Sequence, residues 1–157
     1  MKHSCFIFSE GGKDRKFYTS LISLLEEYHA RKWKFQYDNA SGSAPNIILK
    51  QCKNITKETS YNLILCFIDI DKLKSDYPKK WEEEKIKLEQ SYSYIKIIWH
   101  DENLEDEICR VLLLENKSKH KISIIAKKRI KEFVNSQIYK KIKKIISDKE
   151  TTLENVR

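Results

Sequence analysis

Short apolar runs alternate with amphipathic stretches along most of this chain. The run Ser4-Cys5-Phe6-Ile7-Phe8-Ser9 has no polar alternation, as expected of a strand buried on both faces in a parallel sheet. It stops at Glu10-Gly11-Gly12, and from Asp14 the period turns helical. Phe17, Leu21, Leu24, Leu25 and Tyr28 share one face, with Arg15, Lys16, Glu26 and Glu27 elsewhere. Trp33, Phe35 and Tyr37 alternate with Lys34 and Gln36, the pattern of a half-buried second strand.

Asp38 to Ser43 is a loop, after which Pro45 opens a short helix with Ile47, Ile48, Leu49 and Cys52 as its apolar positions. Tyr61 to Ile68 is the strongest strand signal and runs into Asp69-Ile70-Asp71. Pro78 and Trp81 begin a charged helix through Gln90, with Trp81, Ile86 and Leu88 available for packing. Tyr94 to Trp99 is the fourth strand, and Asn103 is placed to cap a helix carrying Leu104, Ile108, Val111 and Leu112. Lys119 to Asp148 reads as one long helix or two shorter ones, with Ile122–Ile125 as a competing strand.

Alternation of buried strands and helices over residues 4–115 predicts an α/β fold, a Rossmann-like, mainly parallel sheet of about four strands flanked by helices. The chain of 157 residues is long enough for one domain. We read 4–115 as the α/β core and 116–157 as a basic helical extension packed on it. Gly (3) and Pro (2) are too few for a turn-rich β-sandwich or barrel.

The formal charge of +8 is unevenly distributed. Residues 1–116 carry 18 Lys/Arg against 19 Asp/Glu, and residues 117–157 carry 13 against 4. Lys127, Lys128 and Arg129, then Lys140, Lys141 and Lys144, are spaced to line helix exteriors, and they are candidate contacts to a phosphate backbone. A solvated helix face is the alternative for the same lysines. Cys5, Cys52, Cys66 and Cys109 show no paired spacing, which argues against zinc and disulfides and for a reducing, cytoplasmic setting. No apolar run is long enough to span a membrane, and the N-terminus lacks the features of a signal peptide.

In an open parallel sheet, ligands bind outside the carboxyl ends of the strands. The first strand delivers Glu10 to that edge, the third delivers Asp69 and Asp71, and the fourth runs out to Asp101 and Glu102, with Glu105 and Asp106 following. On an extended chain, Asp69 and Asp71 would point the same way. Carboxylates so close call for a proton or a hard cation between them, and Mg²⁺ fits an oxygen-only donor set. Glu10 would hold a second ion or act as general base. His100 stands beside this edge, where an ordinary polar neighbour is the simpler reading.

These residues carry a family resemblance. Ile7-Phe8-Ser9-Glu10-Gly11-Gly12-Lys13-Asp14 resembles the first motif of Toprim (topoisomerase–primase) domains, with Ser9 where most members carry an apolar residue. Phe67-Ile68-Asp69-Ile70-Asp71 is similar to their second, D-x-D, motif. Trp99 to Asp106 is similar to the segment after the fourth strand in the nuclease domains of overcoming-lysogenization-defect proteins, with which RloB-type and small stand-alone Toprim proteins belong. The D-x-D lacks the Gly-bearing continuation of bacterial primases and of the ribosomal-RNA maturase branch.

The resemblance implies Mg²⁺- or Mn²⁺-dependent cleavage of nucleic-acid phosphodiesters, in a phage-defence or mobile-element setting. It implies Glu10 as acid/base or metal ligand, Asp69 and Asp71 as metal ligands, and Asp14 and Glu105 as additional acidic ligands. Lys13, Lys72 and Lys119 are equal candidates for an assisting lysine. The chain has no G-x-x-x-x-G-K-[ST] run, so a partner ATPase would act in trans. The rival expectation is a non-catalytic Toprim-like module that binds nucleic acid or a partner protein.

Overall fold

The structure, a computed structural model, describes residues 2–29, 32–115 and 118–155. Strand β1 (His3–Ser9) leads into helix α1 (Gly12–His29), followed by β2 (Trp33–Asn39) and α2 (Pro45–Thr56). Next come β3 (Leu63–Asp69), the short α3 (Asp71–Asp76), α4 (Trp81–Ser91), β4 (Lys96–His100) and α5 (Leu104–Leu112). Helix α6 (Lys119–Lys128), a 3-10 turn (Ile130–Asn135) and α7 (Gln137–Asn155) complete the order. The four strands form one all-parallel sheet in the order β2-β1-β3-β4, so the fold is α/β and Rossmann-like, as the alternation predicts.

Both faces of the two central strands are covered. Cys5 and Ile7 of β1, with Leu63, Leu65 and Phe67 of β3, pack against α1, α5 and the segment from α6 to α7. Phe6 and Phe8, with Ile64, Cys66 and Ile68, pack against α2, where Ile48, Leu49 and Cys52 are buried. This two-sided burial is why the runs lack polar alternation. Burial also pushes the Cys5 and Cys66 thiols up.

On α1, Phe17, Leu21 and Leu25 are buried as the period predicts. The side chain of Tyr28 lies outside the described residues. On α4, Leu88 packs against the core and Ile86 stays 53% exposed. The Ile122–Ile125 stretch is helical, its β-branched residues outweighed by the burial of Ile122 and Ala126. The Ser118 side chain caps this helix by accepting the Lys121 N–H.

The C-terminal segment belongs to the core. Ile122, Ala126, Phe133, Ile138, Ile142 and Ile146 join the cluster around α1, with Phe133 edge-on to Phe17 at 5.1 Å. Helix α7 starts near the C-terminal end of β4, where Ile138 and Lys141 share a cavity with Trp99 and Asp101. It ends near the start of β2, where Trp33 Nε1 donates to Glu150 Oε1 at 2.6 Å. The boundary at 115/116 touches residues outside those described. Among the described residues, no helix is long and apolar enough to cross a membrane.

The loop after β2 is tied to β1. The Ala40 N–H donates to the Ser9 carbonyl at 2.9 Å, and the Gly42 N–H donates to the Glu10 carbonyl at 3.0 Å. Gly42 has φ +76, and a Cβ there would meet nothing within 4 Å, so the backbone alone requires glycine. Gly42→Ala is expected to destabilise the protein by about 1–2 kcal/mol, the cost of a left-handed non-glycine residue. Thermal denaturation should show a fall of a few degrees; an unchanged Tm would mean that the loop relaxes out of this turn.

Candidate metal centre

The sheet order places the site. β1 and β3 are adjacent and in register, Ser9 beside Phe67, so the residues after β1 meet the end of β3. The Asp69 N–H donates to Glu10 Oε2 at 3.2 Å. Asp69 Oδ1 in turn accepts the Leu104 N–H at 3.0 Å, at the N-terminus of α5. There the Asn103 side chain caps the helix as expected, accepting from the Asp106 N–H at 3.0 Å. Asp14, in the first turn of α1, completes a trio with Glu10 and Asp69 whose ligand oxygens lie within 4.8 Å of one another.

The three carboxyls are half-buried and crowd one another. Asp69 is pushed up to about 9, by burial first and then by the charges of Glu10 and Asp14. Asp14 is pushed up to about 6, by burial and then by Glu105 and Glu10. Glu10 is also raised by burial, against the opposing hydrogen bond from Asp69. Three carboxylates cannot all remain ionised here without a counter-charge, so the site takes up protons or a cation. Its donors are hard oxygens only, the set that suits Mg²⁺ or Mn²⁺.

Asp71 is the correction to the expected geometry. The strand ends at Asp69, and Ile70 adopts helical angles (φ −80, ψ −19). The two-residue alternation therefore breaks, since it holds only while the chain is extended. Asp71 is exposed as the first residue of α3, with Oδ1 accepting the Lys72 N–H at 2.8 Å. Its charge still raises Glu10 and Asp69, but it lies outside the trio. Glu105 also stands outside, 4.0 Å from Lys119 Nζ.

That contact separates the candidate lysines. Lys119 offsets the upward push on Asp14, Lys13 lines a cavity with Asp14, and Lys72 pairs with Asp76 at 2.9 Å. Asp101 is exposed and 3.6 Å from the Arg110 guanidinium. Glu102, at φ 69, accepts the Asp71 N–H through its carbonyl and so links this loop to α3.

The basic residues divide between two places. Lys127 borders the cavity that includes Asp14 and Glu105. Arg129 is engaged by Glu132, with Nη2 donating at 2.7 Å, and Lys128 is exposed. Lys140, Lys141 and Lys144 lie on α7, with Lys141 and Lys144 beside the edge strand β4 and Lys144 paired to Asp148 at 2.7 Å.

His100, expected beside this edge as an ordinary polar neighbour, is instead buried against Tyr18, a pairing the sequence does not announce. His100, at the end of β4, is 1% exposed. Its Nε2 shares a hydrogen bond with the Tyr18 hydroxyl, and its Nδ1 lies 3.2 Å from Glu107 Oε1. Tyr18 stacks on Phe67 at 3.8 Å, and burial followed by the Asp14 charge holds its hydroxyl well above the usual range. The one available signal is that Tyr18 lies four residues after Asp14, on the same face of α1. His100 opposes the upward push on both Glu10 and Asp14. Comparison with protein-family models, curated proteins and solved structures finds no match to this chain.

Proposed function

We propose that the protein is a Mg²⁺- or Mn²⁺-dependent phosphodiesterase acting on nucleic acid, of the Toprim type that the motifs around Glu10 and Asp69 resemble. The observation that carries this reading is the convergence of Glu10, Asp14 and Asp69 at the carboxyl ends of the two central strands. An ion held there would polarise a phosphoryl oxygen and ready a water for attack. Glu10 and Asp69 would hold the ion, each oriented by the Asp69 N–H or the Leu104 N–H. Asp14, in the first turn of α1, would add a third carboxylate to the ligand set. Lys119, beside Glu105, would face the departing or attacked phosphate as a compact cation.

The same reading makes an ATPase acting in trans the natural partner. It also suits a cytoplasmic setting, where the four free cysteines would stay reduced. The test is incubation of the purified protein with plasmid, single-stranded DNA and RNA, in Mg²⁺, in Mn²⁺ and in chelator. Cleavage that requires the metal is expected. An absence of cleavage on every substrate would overturn the enzymatic reading and leave a binding module.

A further inference from the structure

A cavity of about 580 Å³ opens between α1, α5 and α6. Asp14 is at once a wall of this cavity and a member of the carboxylate trio, so the cavity adjoins the candidate metal site. The cavity has a divided chemistry. Lys13, Lys16 and Lys127 stand exposed along it, while buried Phe17, Leu104 and Ile108 give it an apolar side. Ile124, 43% exposed, adds to that side from α6.

We infer that this cavity seats an unpaired nucleotide next to the scissile phosphate, which makes single-stranded nucleic acid the substrate class; the inference rests on the nuclease reading above. A phosphodiester backbone by itself needs only the cations. An apolar wall beside them gives an unstacked base face somewhere to pack, and sites for single strands combine these two elements. A duplex keeps its bases stacked and paired, and it offers nothing to a recess of this size. The volume is in the range of small-ligand sites, enough for a nucleotide and too confined for a double helix. Charge complementarity points the same way. The lysines attract the chain, and Asp14 and Glu105 in the same lining suit a metal rather than a phosphate.

The test is fluorescence anisotropy with labelled oligothymidylate, oligouridylate and a DNA duplex of equal length. It is run in Mg²⁺ in a Glu10→Gln background, so that the probes remain intact. Lys16→Glu with Lys127→Glu is expected to weaken single-strand binding at least about tenfold and to flatten the salt dependence by about 1.4 log units per decade, two phosphate contacts' worth. Ile124→Ser, at an exposed position, is expected to weaken it severalfold with the salt slope unchanged. Lys53→Glu with Lys57→Glu, exposed at the far end of α2, should change neither.

Single-strand binding by the Lys16/Lys127 variant equal to that of the wild type overturns the inference. Duplex binding as tight as single-strand binding does so too. If the cavity variants behave as expected but the wild-type protein cleaves nothing in Mg²⁺ or Mn²⁺, the strand-binding cavity stands and the nuclease reading falls. If the wild type cleaves and the cavity variants bind and cleave unchanged, the cavity assignment falls alone. The thymidylate and uridylate arms then separate DNA from RNA, since only the latter carries the 2′-hydroxyl.

Discussion

Glu10→Gln and Asp69→Asn are each expected to lower metal-dependent cleavage by at least about 10³-fold, as befits groups that place an ion at the reacting phosphate. Neither change should unfold the protein. A glutamine at position 10 can still accept the Asp69 N–H, and an asparagine at 69 can still accept the Leu104 N–H. Glu10→Gln takes a charge out of a cluster whose members repel, and Asp69→Asn fixes the neutral form that the crowded Asp69 already favours, so the metal-free Tm should not fall. A loss of activity accompanied by a lower Tm would instead indicate damage to the fold. Asp71→Asn supplies the contrast: exposed and outside the trio, Asp71 should matter about tenfold or less. If Asp71→Asn proves as damaging as Asp69→Asn, the D-x-D acts as a pair and the trio is not the centre.

The second large effect is a stability that depends on pH and metal in opposite senses. Asp69, raised to about 9, and Asp14, raised to about 6, bind protons more tightly in the folded chain than in the unfolded one. Their contribution is fully present below the usual carboxylate range near pH 4, and it is lost as the pH rises through 6 and towards 9. In chelator, therefore, the Tm should be several degrees lower at about pH 8 than at about pH 5. Mg²⁺ or Mn²⁺ should restore it at the higher pH: an ion at a hundred times its Kd adds about 2.7 kcal/mol, or roughly 5–10 °C for a chain of this length. Near pH 5 the protons compete, and the metal should shift the Tm little. Calorimetry at both pH values, with and without the metal, reads all four conditions. A Tm in chelator that climbs from pH 5 to pH 8, or that ignores the metal at pH 8, would remove the physical basis of the site.

Much of the architecture is legible in the residue order. Cys5-Phe6-Ile7-Phe8 and Leu63 to Ile68 are apolar at consecutive positions, which only a strand covered on both faces requires, and both lie in the middle of the sheet. Asn103 announces α5, and its cap sits where predicted. The convergence of Glu10 with Asp69 is likewise readable, because parallel strands deliver their ends to one edge. What stayed hidden depends on single backbone turns and distant contacts. Asp71 leaves the trio because Ile70 turns helical one residue too soon. Tyr18 and His100 meet only because β4 lies beside β3 and α1 lies across that face.

The charge of the last quarter of the chain shows the same division. The excess of lysine over residues 117–157, and the isoleucine period that buries one side of it, are properties of the linear chain. The lysines' positions relative to the carboxylates are not. Helix α6 packs against α1 and carries Lys127 to the cavity that Asp14 borders, while α7 runs down the sheet and carries Lys141 and Lys144 to the β4 edge. Local periodicity decides which side of a helix is buried, because each turn repeats the same face. Which end of that helix lies near a given carboxylate is decided by packing across the sheet, between residues far apart in the chain.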